Sequence, residues 1–485
     1  MSYYIGADLG TSALKLILVD HNGDILSSVS KEYPLSFPKS GWSEQNPTDW
    51  WKAFCKGVKD LLSGFDSTLV KGIGVGGQMH GLVILDENDS VLRPAILWND
   101  GRTNKETDYL NSIGQLSQYT ANMAFAGFTA PKILWVKDNE PEIFEKISKI
   151  MLPKDYINYL LTGVNCTDYS DASGMLILDV ENKQWSKEMC DICGISESQL
   201  PKLYESYDVV GTIKPDIAKQ LGLNDDLIVV AGAGDNAAAA IGVGIFKEGR
   251  CNISIGTSGT VFIPSDNFSK IENNAIHNFC HANGKYHLMG CILSAASCNK
   301  WFCDNILKTT DYVAEQVGIN DDMLGENNVY FLPYLMGERS PINDIEAKSC
   351  FIGMRMDTTR SEMLLAVLEG VAFAIRDNLE EVKKLGINIT ESKLCGGGAK
   401  SPLWQKIFAN VLGIPIIIPK VEEGPAMGGA LLAMKACGND VDYDNFDFAV
   451  KEIIYPEESL TEKYNKSYEK YSLLYPALKE VFKKL

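Results

Sequence analysis

Apolar residues at the start of the chain come in short runs that turn residues separate. Residues 3–8 and 14–20 have the length and composition of strands, and a Gly-Thr-Ser turn at 10–12 joins them. Residues 250–263 repeat this arrangement around a second Gly-Thr-Ser turn at 256–258. The two turns lie 246 positions apart, close to half of the 485 residues. Such a repeat predicts two similar halves, each opening with a hairpin.

Strand and helix patterns alternate through the rest of the chain. Residues 71–76 form an apolar run typical of a buried strand, whereas residues 50–62 and 361–384 place apolar residues at helical spacing. The charged tail carries one apolar helical face and is predicted to be a helix packed on the second half. That face consists of Tyr471, Leu474, Leu478 and Phe482. The mixture predicts an α/β fold.

The chain is too long for one core, because single hydrophobic cores stop growing near about 250–300 residues. The repeat distance places the division at residue 246. We therefore expect one domain over residues 1–246 and a second over residues 247–485.

Acidic residues outnumber basic ones, 63 against 45, and the formal net charge is −18. The chain lacks the basic footprint of a protein that binds nucleic acid or an anionic membrane, so we expect neither partner. A hydrophobic share of 45% is ordinary for a globular protein and excludes global disorder.

The first residues carry no basic region followed by a long apolar core, so we expect no secretory signal and a cytoplasmic location. The 12 cysteines are scattered, and the close pair Cys190 and Cys193 has no second pair at zinc-site spacing. We therefore expect reduced thiols rather than disulfides or a zinc site.

Residues 227–246 imitate a membrane span, since Asp235 and Asn236 are their only strongly polar members. An aspartate at the centre of a spanning helix would cost about 3 kcal/mol. A strand at 227–231, a turn at 232–234 and a helix that opens at Asp235 carry no such cost. This division places an acid at a strand-to-helix junction, where α/β proteins tend to have their sites.

Each Gly-Thr-Ser turn could cradle an anion, because glycine lets successive N–H groups face one ligand and the hydroxyls add donors. Lys15 follows the first turn closely. A plain hairpin explains a single turn better. Two copies, each flanked by strands, favour a grip on a polyphosphate.

A third glycine-rich turn, at 396–398, precedes the Ser-Pro pair at 401–402 that predicts a helix start. The segment departs from the P-loop pattern, because Leu394 and Ala399 stand where glycines should be. Residues 232–237 match the dinucleotide-binding fingerprint only loosely, since no strand precedes the required acid. A nicotinamide enzyme is therefore disfavoured.

Local sequence allows two interpretations of Asp235. It caps the following helix, which needs no function, or it is a general base that takes the proton of an attacking alcohol. Phosphoryl transfer has a loose transition state, so a well-placed aspartate of ordinary basicity is sufficient.

Polar and aromatic residues cluster at 77–81 and 96–102, after predicted strands. Planar donors and acceptors for hydroxyls, with an aromatic ring against C–H groups, are typical of a neutral sugar site. A structural network explains the cluster equally well, with His80 satisfied in the core and Asp100 paired to Arg102.

Ten segments together form a recognisable set of motifs: 7–12, 41–45, 77–81, 96–102, 128–132, 171–174, 234–236, 256–259, 333–339 and 396–399. With them the chain resembles the FGGY family of carbohydrate kinases, from the first strand to about residue 435. The Gln-Met-His-Gly and Trp-Asn-Asp-Gly-Arg motifs are similar to those of family members that phosphorylate xylulose rather than glycerol.

The resemblance implies two actin-like, ribonuclease-H-like domains, with ATP and sugar in a catalytic cleft between them. It places the catalytic base at Asp235 and a second catalytic acid, associated with Mg²⁺ through water, at Asp8. The implied substrate contacts are Met79, His80, Trp98, Asp235 and Asn236. The implied nucleotide contacts are Thr11, Ser12, Lys15, Gly256, Thr257, Thr260, Gly397, Gly398 and Ala399.

The implied activity is ATP-dependent phosphorylation of D-xylulose to D-xylulose 5-phosphate, with ADP as the second product. Phosphorylation of another pentulose or a related sugar is the alternative within the enzyme class. The alternative from another class is an actin-like ATPase without kinase activity, or a sugar sensor. The sequence shows neither the peptide-binding domain expected of an ATPase of the chaperone type nor the basic helix-turn-helix segment expected of a transcriptional sensor. The sequence leaves a homodimer open.

Overall fold

The computed structural model describes residues 2–271, 274–420, 424–438 and 450–485. Contacts among these residues divide the chain into two compact units. The first unit holds the described residues of 1–246, 278–286 and 423–447, and the second holds those of 247–277, 287–422 and 448–485. The chain changes unit after residue 246, but two later segments fall in the first unit. Residues 247–485 are therefore not one contiguous part of the fold.

Strands and helices follow one another along both units. The strands are β1 (Tyr3–Leu9), β2 (Ala13–Asp20), β3 (Ile25–Glu32), β4 (Glu44–Gln45), β5 (Val70–Gly77), β6 (Val83–Leu85), β7 (Ala95–Ile96), β8 (Lys149–Met151), β9 (Cys166–Asp168), β10 (Leu178–Asp179), β11 (Gln184–Trp185), β12 (Lys202–Tyr204), β13 (Val209–Thr212), β14 (Ile228–Val230), β15 (Ala233–Gly234), β16 (Arg250–Ile255), β17 (Gly259–Ser265), β18 (His277–Cys280), β19 (Tyr286–Ile292), β20 (Tyr330–Leu332), β21 (Cys350–Ile352), β22 (Glu391–Cys395), β23 (Ile416–Pro419) and β24 (Val450–Ile454). The helices are α1 (Pro47–Leu61), α2 (Asn104–Asn111), α3 (Leu116–Thr120), α4 (Thr129–Asn139), α5 (Pro141–Phe144), α6 (Pro153–Thr162), α7 (Tyr169–Ala172), α8 (Lys187–Cys193), α9 (Pro215–Leu221), α10 (Asp235–Gly242), α11 (Ala296–Trp301), α12 (Tyr312–Gln316), α13 (Arg360–Lys384), α14 (Pro402–Leu412), α15 (Gly424–Ala436), α16 (Glu458–Tyr471) and α17 (Leu474–Phe482).

The first unit is built on a mixed sheet with the order β13-β14-β5-β1-β2-β3, and β15 also pairs with β5. Strands β1, β2 and β3 form antiparallel hairpins, as predicted, and Asp8 lies opposite Lys15 in the first of them. Strand β5 runs parallel to β1, β14 and β15. The carboxyl ends of these parallel strands therefore meet at one edge of the sheet.

The side chains of β2 are apolar on both faces of this sheet, because successive side chains of a strand point to opposite sides. Leu14, Leu16 and Leu18 belong to the core that includes the buried residues of α1 and α6. Ile17 and Val19 pack on α15.

The segment that imitates a membrane span is divided into β14, β15 and α10. The predicted strand and helix are confirmed, but Ala233 and Gly234 of the predicted turn form the short strand β15. The alanines and glycines of the segment lie against the similarly small residues of α15, so the apolar stretch is explained by close helix packing. In the part of the chain that the structure describes, no helix combines the length and the apolar character needed to cross a membrane.

The second unit has a sheet in which β19, β17, β16, β22, β23 and β24 follow one another. Strands β16 and β17 form an antiparallel hairpin, and β22 and β23 run parallel to β16. The same arrangement occurs in the first unit, where the β1-β2 hairpin is followed by the parallel strands β5 and β14. The prediction of two similar α/β halves is confirmed.

Helix α13 supplies the central helix of the second core, and it matches the helix predicted at 361–384. Thr359 starts it with a capping box, in which its side chain accepts from the N–H of Glu362 while that glutamate accepts from the N–H of Thr359.

The tail forms two helices rather than the single helix that its pattern predicted. Helix α16 ends at Tyr471 and α17 begins at Leu474. Pro476 lacks an N–H and fits only near a helix start, so a new helix begins just before it. Tyr471 and Phe482 are buried in the second core, which confirms that the tail packs on this half.

Candidate active site

Three parallel strands of the first unit end side by side at the candidate site. Leu9 of β1 lies opposite Gly77 of β5, which also lies opposite Gly234 of β15. Neighbouring strands are about 4.8 Å apart, so Asp8 and Asp235 belong to strand ends about 10 Å apart. The structure brings these two acids to one sheet edge, with the 78–81 turn after β5 between them.

Asp235 is the first residue of α10, and Gly234 occupies the N-cap position. Of the two interpretations of Asp235, the one in which it is the N-cap is therefore wrong. Its Oδ1 accepts hydrogen bonds from the backbone N of Asn236 at 2.7 Å and from Nδ2 of the same residue at 2.9 Å. Burial raises the pKa of Asp235 to about 6, although these two hydrogen bonds act to lower it. The carboxyl group is thus more basic than an ordinary aspartate, while part of its surface stays open to solvent.

His80 lies in the turn after β5 and has a positive φ of 70°. Its Nδ1 lies 2.7 Å from the carbonyl oxygen of Gly174, and its ring stacks on Phe128 with 4.7 Å between ring centroids. The side chain is fixed on these sides and remains half-exposed. The ring is therefore held in place without being closed off from a ligand.

Met79 is buried, and its Sδ lies 3.9 Å from Nδ2 of Asn236. The contact joins the turn after β5 to the first turn of α10. Four of the predicted substrate contacts, Met79, His80, Asp235 and Asn236, therefore lie on two adjoining segments.

Trp98 is 48% exposed, yet its indole N–H donates to Oγ1 of Thr11 at 2.9 Å. The backbone oxygen of Thr11 accepts from Nε2 of Gln45 at 2.6 Å, and Gln45 is bonded in turn to Gln78 at 3.2 Å. An exposed indole held by its N–H presents a fixed apolar surface. The threonine of the first Gly-Thr-Ser turn thus positions the aromatic side chain of the predicted sugar cluster.

Asp100 and Arg102 of the same cluster form a structural network. Nε and Nη2 of Arg102 donate to Asp100 at 2.9 and 2.7 Å, and Nη1 lies 2.7 Å from Glu44. The guanidinium also lies 3.7 Å from the centre of the Trp42 ring. For this pair the structural alternative is confirmed.

The first Gly-Thr-Ser turn is closed by a hydrogen bond from the N–H of Gly10 to the carbonyl of Ala13 at 3.1 Å. That amide is therefore used within the hairpin, and the exposed residue Ser12 marks the open end of the turn. Lys15 lies on β2 opposite Asp8, and directly opposed residues carry their side chains on the same face of a sheet.

In the second unit two glycine-containing turns leave neighbouring parallel strands. Ser254 of β16 lies opposite Cys395 of β22, so the 256–258 turn and the 396–398 segment begin about 5 Å apart. Thr257 is exposed, and Thr260 lies half-buried on β17 opposite Ser254. The predicted nucleotide contacts of this unit therefore share one sheet edge.

The members of the 397–399 segment differ in exposure. Gly397 is exposed and open, whereas a Cβ atom on Gly398 would lie 2.4 Å from Cγ2 of Ile255. Ala399 is buried in the second core, and its carbonyl accepts from Nε2 of Gln405 at 2.6 Å. A ligand on this surface would meet Gly397 directly and the other two residues only through their backbone.

Comparison with known proteins assigns both units to one family. Residues 3–242 match the N-terminal domain, and residues 251–437 the C-terminal domain, of the FGGY family of carbohydrate kinases. The chain belongs to this family. It is a carbohydrate kinase, an enzyme that transfers a phosphoryl group.

This FGGY kinase is similar to named relatives over nearly its whole length. The xylulose kinase of Escherichia coli (strain K12) is 41% identical over 436 residues, which cover 89% of this chain and 90% of that protein. A xyloylose kinase structure from Brucella ovis is 39% identical, with a TM-score of 0.95 and coverage of 99% and 100%. A gluconate kinase structure from Lactobacillus acidophilus is 29% identical, with a TM-score of 0.93 and coverage of 100% and 99%. The two-domain α/β fold is thus shared by kinases named for different sugars.

Sequence reasoning missed a buried charged cluster behind Asp235. Lys154, Asp155, Asp168 and Asp171 all have fully buried side chains, and Nζ of the lysine lies 2.6, 3.0 and 3.5 Å from the three carboxylates in that order. Asp168 accepts from Oγ of Ser170, and that hydroxyl accepts from the N–H of Gly234 at 3.1 Å. The cluster is therefore linked to the residue that precedes the candidate base.

A sequence signal for part of this cluster was present in the Asp-Ala-Ser-Gly motif at 171–174. The motif alone did not predict a charged cluster, because Lys154 lies on α6 and contacts the acids only in the folded chain. Burial raises the pKa of Asp171 well above its ordinary value, and the neighbouring acids, Asp235 among them, act in the same direction.

Proposed function

We propose that this kinase transfers the γ-phosphoryl group of ATP to D-xylulose, forming D-xylulose 5-phosphate and ADP. The observation that carries the proposal is the position of Asp235 at a strand-to-helix junction, beside the half-exposed His80 and the exposed Trp98. Membership of a carbohydrate kinase family and the similarity to xylulose kinases support it.

In the proposed reaction Asp235 accepts the proton of the sugar's fifth-carbon hydroxyl. The alcohol oxygen forms a bond to the γ-phosphorus while the bond from that phosphorus to the bridging oxygen breaks, and ADP leaves with the electron pair. A pKa of about 6 keeps Asp235 ionised near neutral pH and makes it a stronger base than an ordinary aspartate. The two hydrogen bonds from Asn236 fix one carboxylate oxygen, which orients the other.

The sugar contacts in this proposal are Met79, His80, Trp98 and Asn236. The indole of Trp98 would pack on the C–H face of the ketose, while the turn at 78–81 supplies backbone groups to its hydroxyls. A neutral ketose is compatible with a chain of net charge −18, which would repel an acidic sugar at long range. Another pentulose or a related sugar is the second candidate, since a gluconate kinase shows that this fold accepts more than one sugar.

The proposed nucleotide contacts are Thr11, Ser12 and Lys15 in the first unit and Gly256, Thr257, Thr260, Gly397, Gly398 and Ala399 in the second. For Gly398 and Ala399 only the backbone is available, as their burial requires. Backbone N–H groups and Lys15 would offset the charge of the phosphates locally.

We assign Asp8 to a divalent cation, proposed as Mg²⁺, held mostly by water and phosphate oxygens. The residues fit such an ion, because one half-exposed carboxylate stands at a strand end. Mg²⁺ is commonly held by one or two carboxylates together with substrate phosphates. When bound, the cation would neutralise charge that develops on the phosphates.

The experiment is a sugar panel with coupled detection of ADP, run on the wild type and on Asp235→Asn. We expect D-xylulose to give the highest kcat/KM, and the variant to lose about 10²–10⁴-fold in kcat while the fold is retained. Asp49→Asn is the matched control, because Asp49 also lies in the first turn of a helix, α1, away from the candidate contacts. Full activity of Asp235→Asn, or no turnover of D-xylulose by the wild type, would contradict the proposal.

A further inference from the structure

Lys132 is a fully buried lysine whose hydrogen bonds go to carbonyl oxygens. Its Nζ donates to the backbone oxygen of His80 at 2.8 Å and to that of Gly127 at 2.7 Å. The residue lies in the first turn of α4, and nothing in the proposed reaction uses it. A side chain of this polarity is rarely buried unless a specific interaction requires it.

The first bond of Lys132 holds the turn that carries His80. The His80 carbonyl also accepts from Oγ1 of Thr129 at 3.1 Å, so two side chains of α4 fix one carbonyl. His80 has a left-handed backbone conformation, which costs energy for a residue with a Cβ atom. The two hydrogen bonds therefore restrain His80, the residue whose backbone conformation is unfavourable.

The second hydrogen bond of Lys132 holds Gly127, whose backbone contacts the backbone of Trp98. A Cβ atom on Gly127 would lie 2.5 Å from the carbonyl oxygen of Trp98, so the two backbones are in close contact there. When Lys132 holds the Gly127 carbonyl, it also sets the position of the surface against which Trp98 rests. One amine therefore ties together the backbones under two proposed sugar contacts.

The chemistry of the amine suits this task. Burial lowers the pKa of Lys132 well below its ordinary value, which favours the neutral form. The two carbonyls each accept a hydrogen bond from one of its N–H donors. An apolar residue of the same length would leave the Gly127 carbonyl without this donor.

We propose that Lys132 is a positioning residue for the sugar, which sets the separation of the His80 turn from the backbone that supports Trp98. The inference rests on the proposed function, because it takes His80 and Trp98 to be the walls of the sugar site. It predicts that loss of the amine weakens sugar binding and leaves nucleotide binding unchanged.

The test measures KM for D-xylulose, KM for ATP and kcat in the full chain, for the wild type and Lys132→Met. Lys132→Met removes the donor that the His80 and Gly127 carbonyls share, so both backbones can shift, and we expect KM for the sugar to rise about tenfold. KM for ATP should stay within about twofold of the wild type, which is the scatter expected for an untouched contact. Thr129→Val, which removes only the weaker bond to His80, should raise KM for the sugar by a smaller factor.

Thr120→Val is the control for loss of a buried donor. The Thr120 hydroxyl lies 3.1 Å from the carbonyls of Leu116 and Asn122, and the residue is not part of the proposed site. This variant should lower Tm without raising KM for the sugar. A fall in kcat for Lys132→Met with both KM values unchanged would show a purely structural role and overturn the proposal.

The wild-type sugar panel separates this inference from the proposed function. If another sugar is the better substrate, the substrate assignment fails, and the KM ratio for that sugar decides the role of Lys132. If the wild type neither phosphorylates nor binds any sugar by calorimetry, both are overturned. A raised sugar KM with an unchanged ATP KM supports the role of Lys132 whether D-xylulose or another sugar is the better substrate.

Discussion

Replacing Lys154 by methionine tests whether one buried cation stabilises the acids behind Asp235. Burial alone would lower the pKa of Lys154, but the attraction of Asp155, Asp168 and Asp171 outweighs it and raises the pKa well above its ordinary value. Nζ of Lys154 thus contacts all three carboxylates of the cluster. Methionine keeps an unbranched side chain of similar length, so the substitution removes mainly the charge and its hydrogen bonds.

The expected loss of stability follows from the geometry of the cluster. Breaking a buried ion pair by removing one partner costs about 3–5 kcal/mol, because the remaining charge is left uncompensated. A domain of this size loses about 2–4 °C in Tm for each kcal/mol, so the transition of the first unit should fall by about 6–20 °C. The remaining carboxyl groups would then have raised pKa values in the folded state. A group of this kind stabilises the fold only while it is protonated, so the loss should grow as pH rises.

Differential scanning calorimetry of the wild type and Lys154→Met, between about pH 5 and about pH 8, measures both effects. The second variant is Lys154→Met with Asp171→Asn. Neither carboxylate oxygen of Asp171 accepts a hydrogen bond within the described residues, so its removal costs little beyond its charge. The double variant should be more stable than Lys154→Met alone. A loss below about 1 kcal/mol, or one that is the same at both ends of the pH range, would refute the reasoning.

Three further predictions concern pH and packing. The kcat/KM for the sugar should fall below about pH 6, since Asp235 has a pKa of about 6 and must be ionised to act as a base, and a flat profile down to about pH 5 would contradict this. In the second unit burial raises the pKa of both Glu369 and Asp377 to about 7, so the free energy of unfolding should decrease as pH rises from about 4 to about 7. Urea unfolding followed across this range should show a weaker decrease in Glu369→Gln and Asp377→Asn, and an unchanged slope in both would count against the assignment. Gly127→Ala should raise KM for the sugar, because its Cβ atom would force the Trp98 carbonyl to move; an unchanged KM, with Tm as the check on folding, would exclude this coupling.

Local patterns predicted several individual elements of the fold. The hairpins at both Gly-Thr-Ser turns, the strand β5 and the helices α1 and α13 follow from runs and periodicities that lie within one segment. The tail differs from its prediction. Its apolar face predicted one helix, but the chain forms two, because Pro476 fits only near the start of a helix.

The assignment of segments to units was not predictable in the same way. Helix α15 follows strand β23 of the second sheet in the chain, yet it packs on Ile17 and Val19 of the first. An apolar helix face carries no information about which of two apolar sheets it covers, so only folding decides between them.

Within the candidate site, the motifs predicted which residues occur there, but not the hydrogen bonds that hold them in place. Asp235 was identified as an acid at a strand-to-helix junction, but the N-cap is Gly234. His80 and Trp98 are predicted sugar contacts, whereas their supports lie on α4 and in the 10–12 turn.

The sequence by itself determined the repeat, the elements around each glycine-containing turn, and the acid, aromatic and amide groups of the candidate site. These features depend on residues that are close along the chain, where spacing and composition are sufficient evidence. Only the tertiary structure decided that Lys154 joins three acids behind Asp235 and that Lys132 joins the supports of His80 and Trp98. The physical reason is that a buried charge or donor is stable only with partners, and folding brings those partners from distant segments.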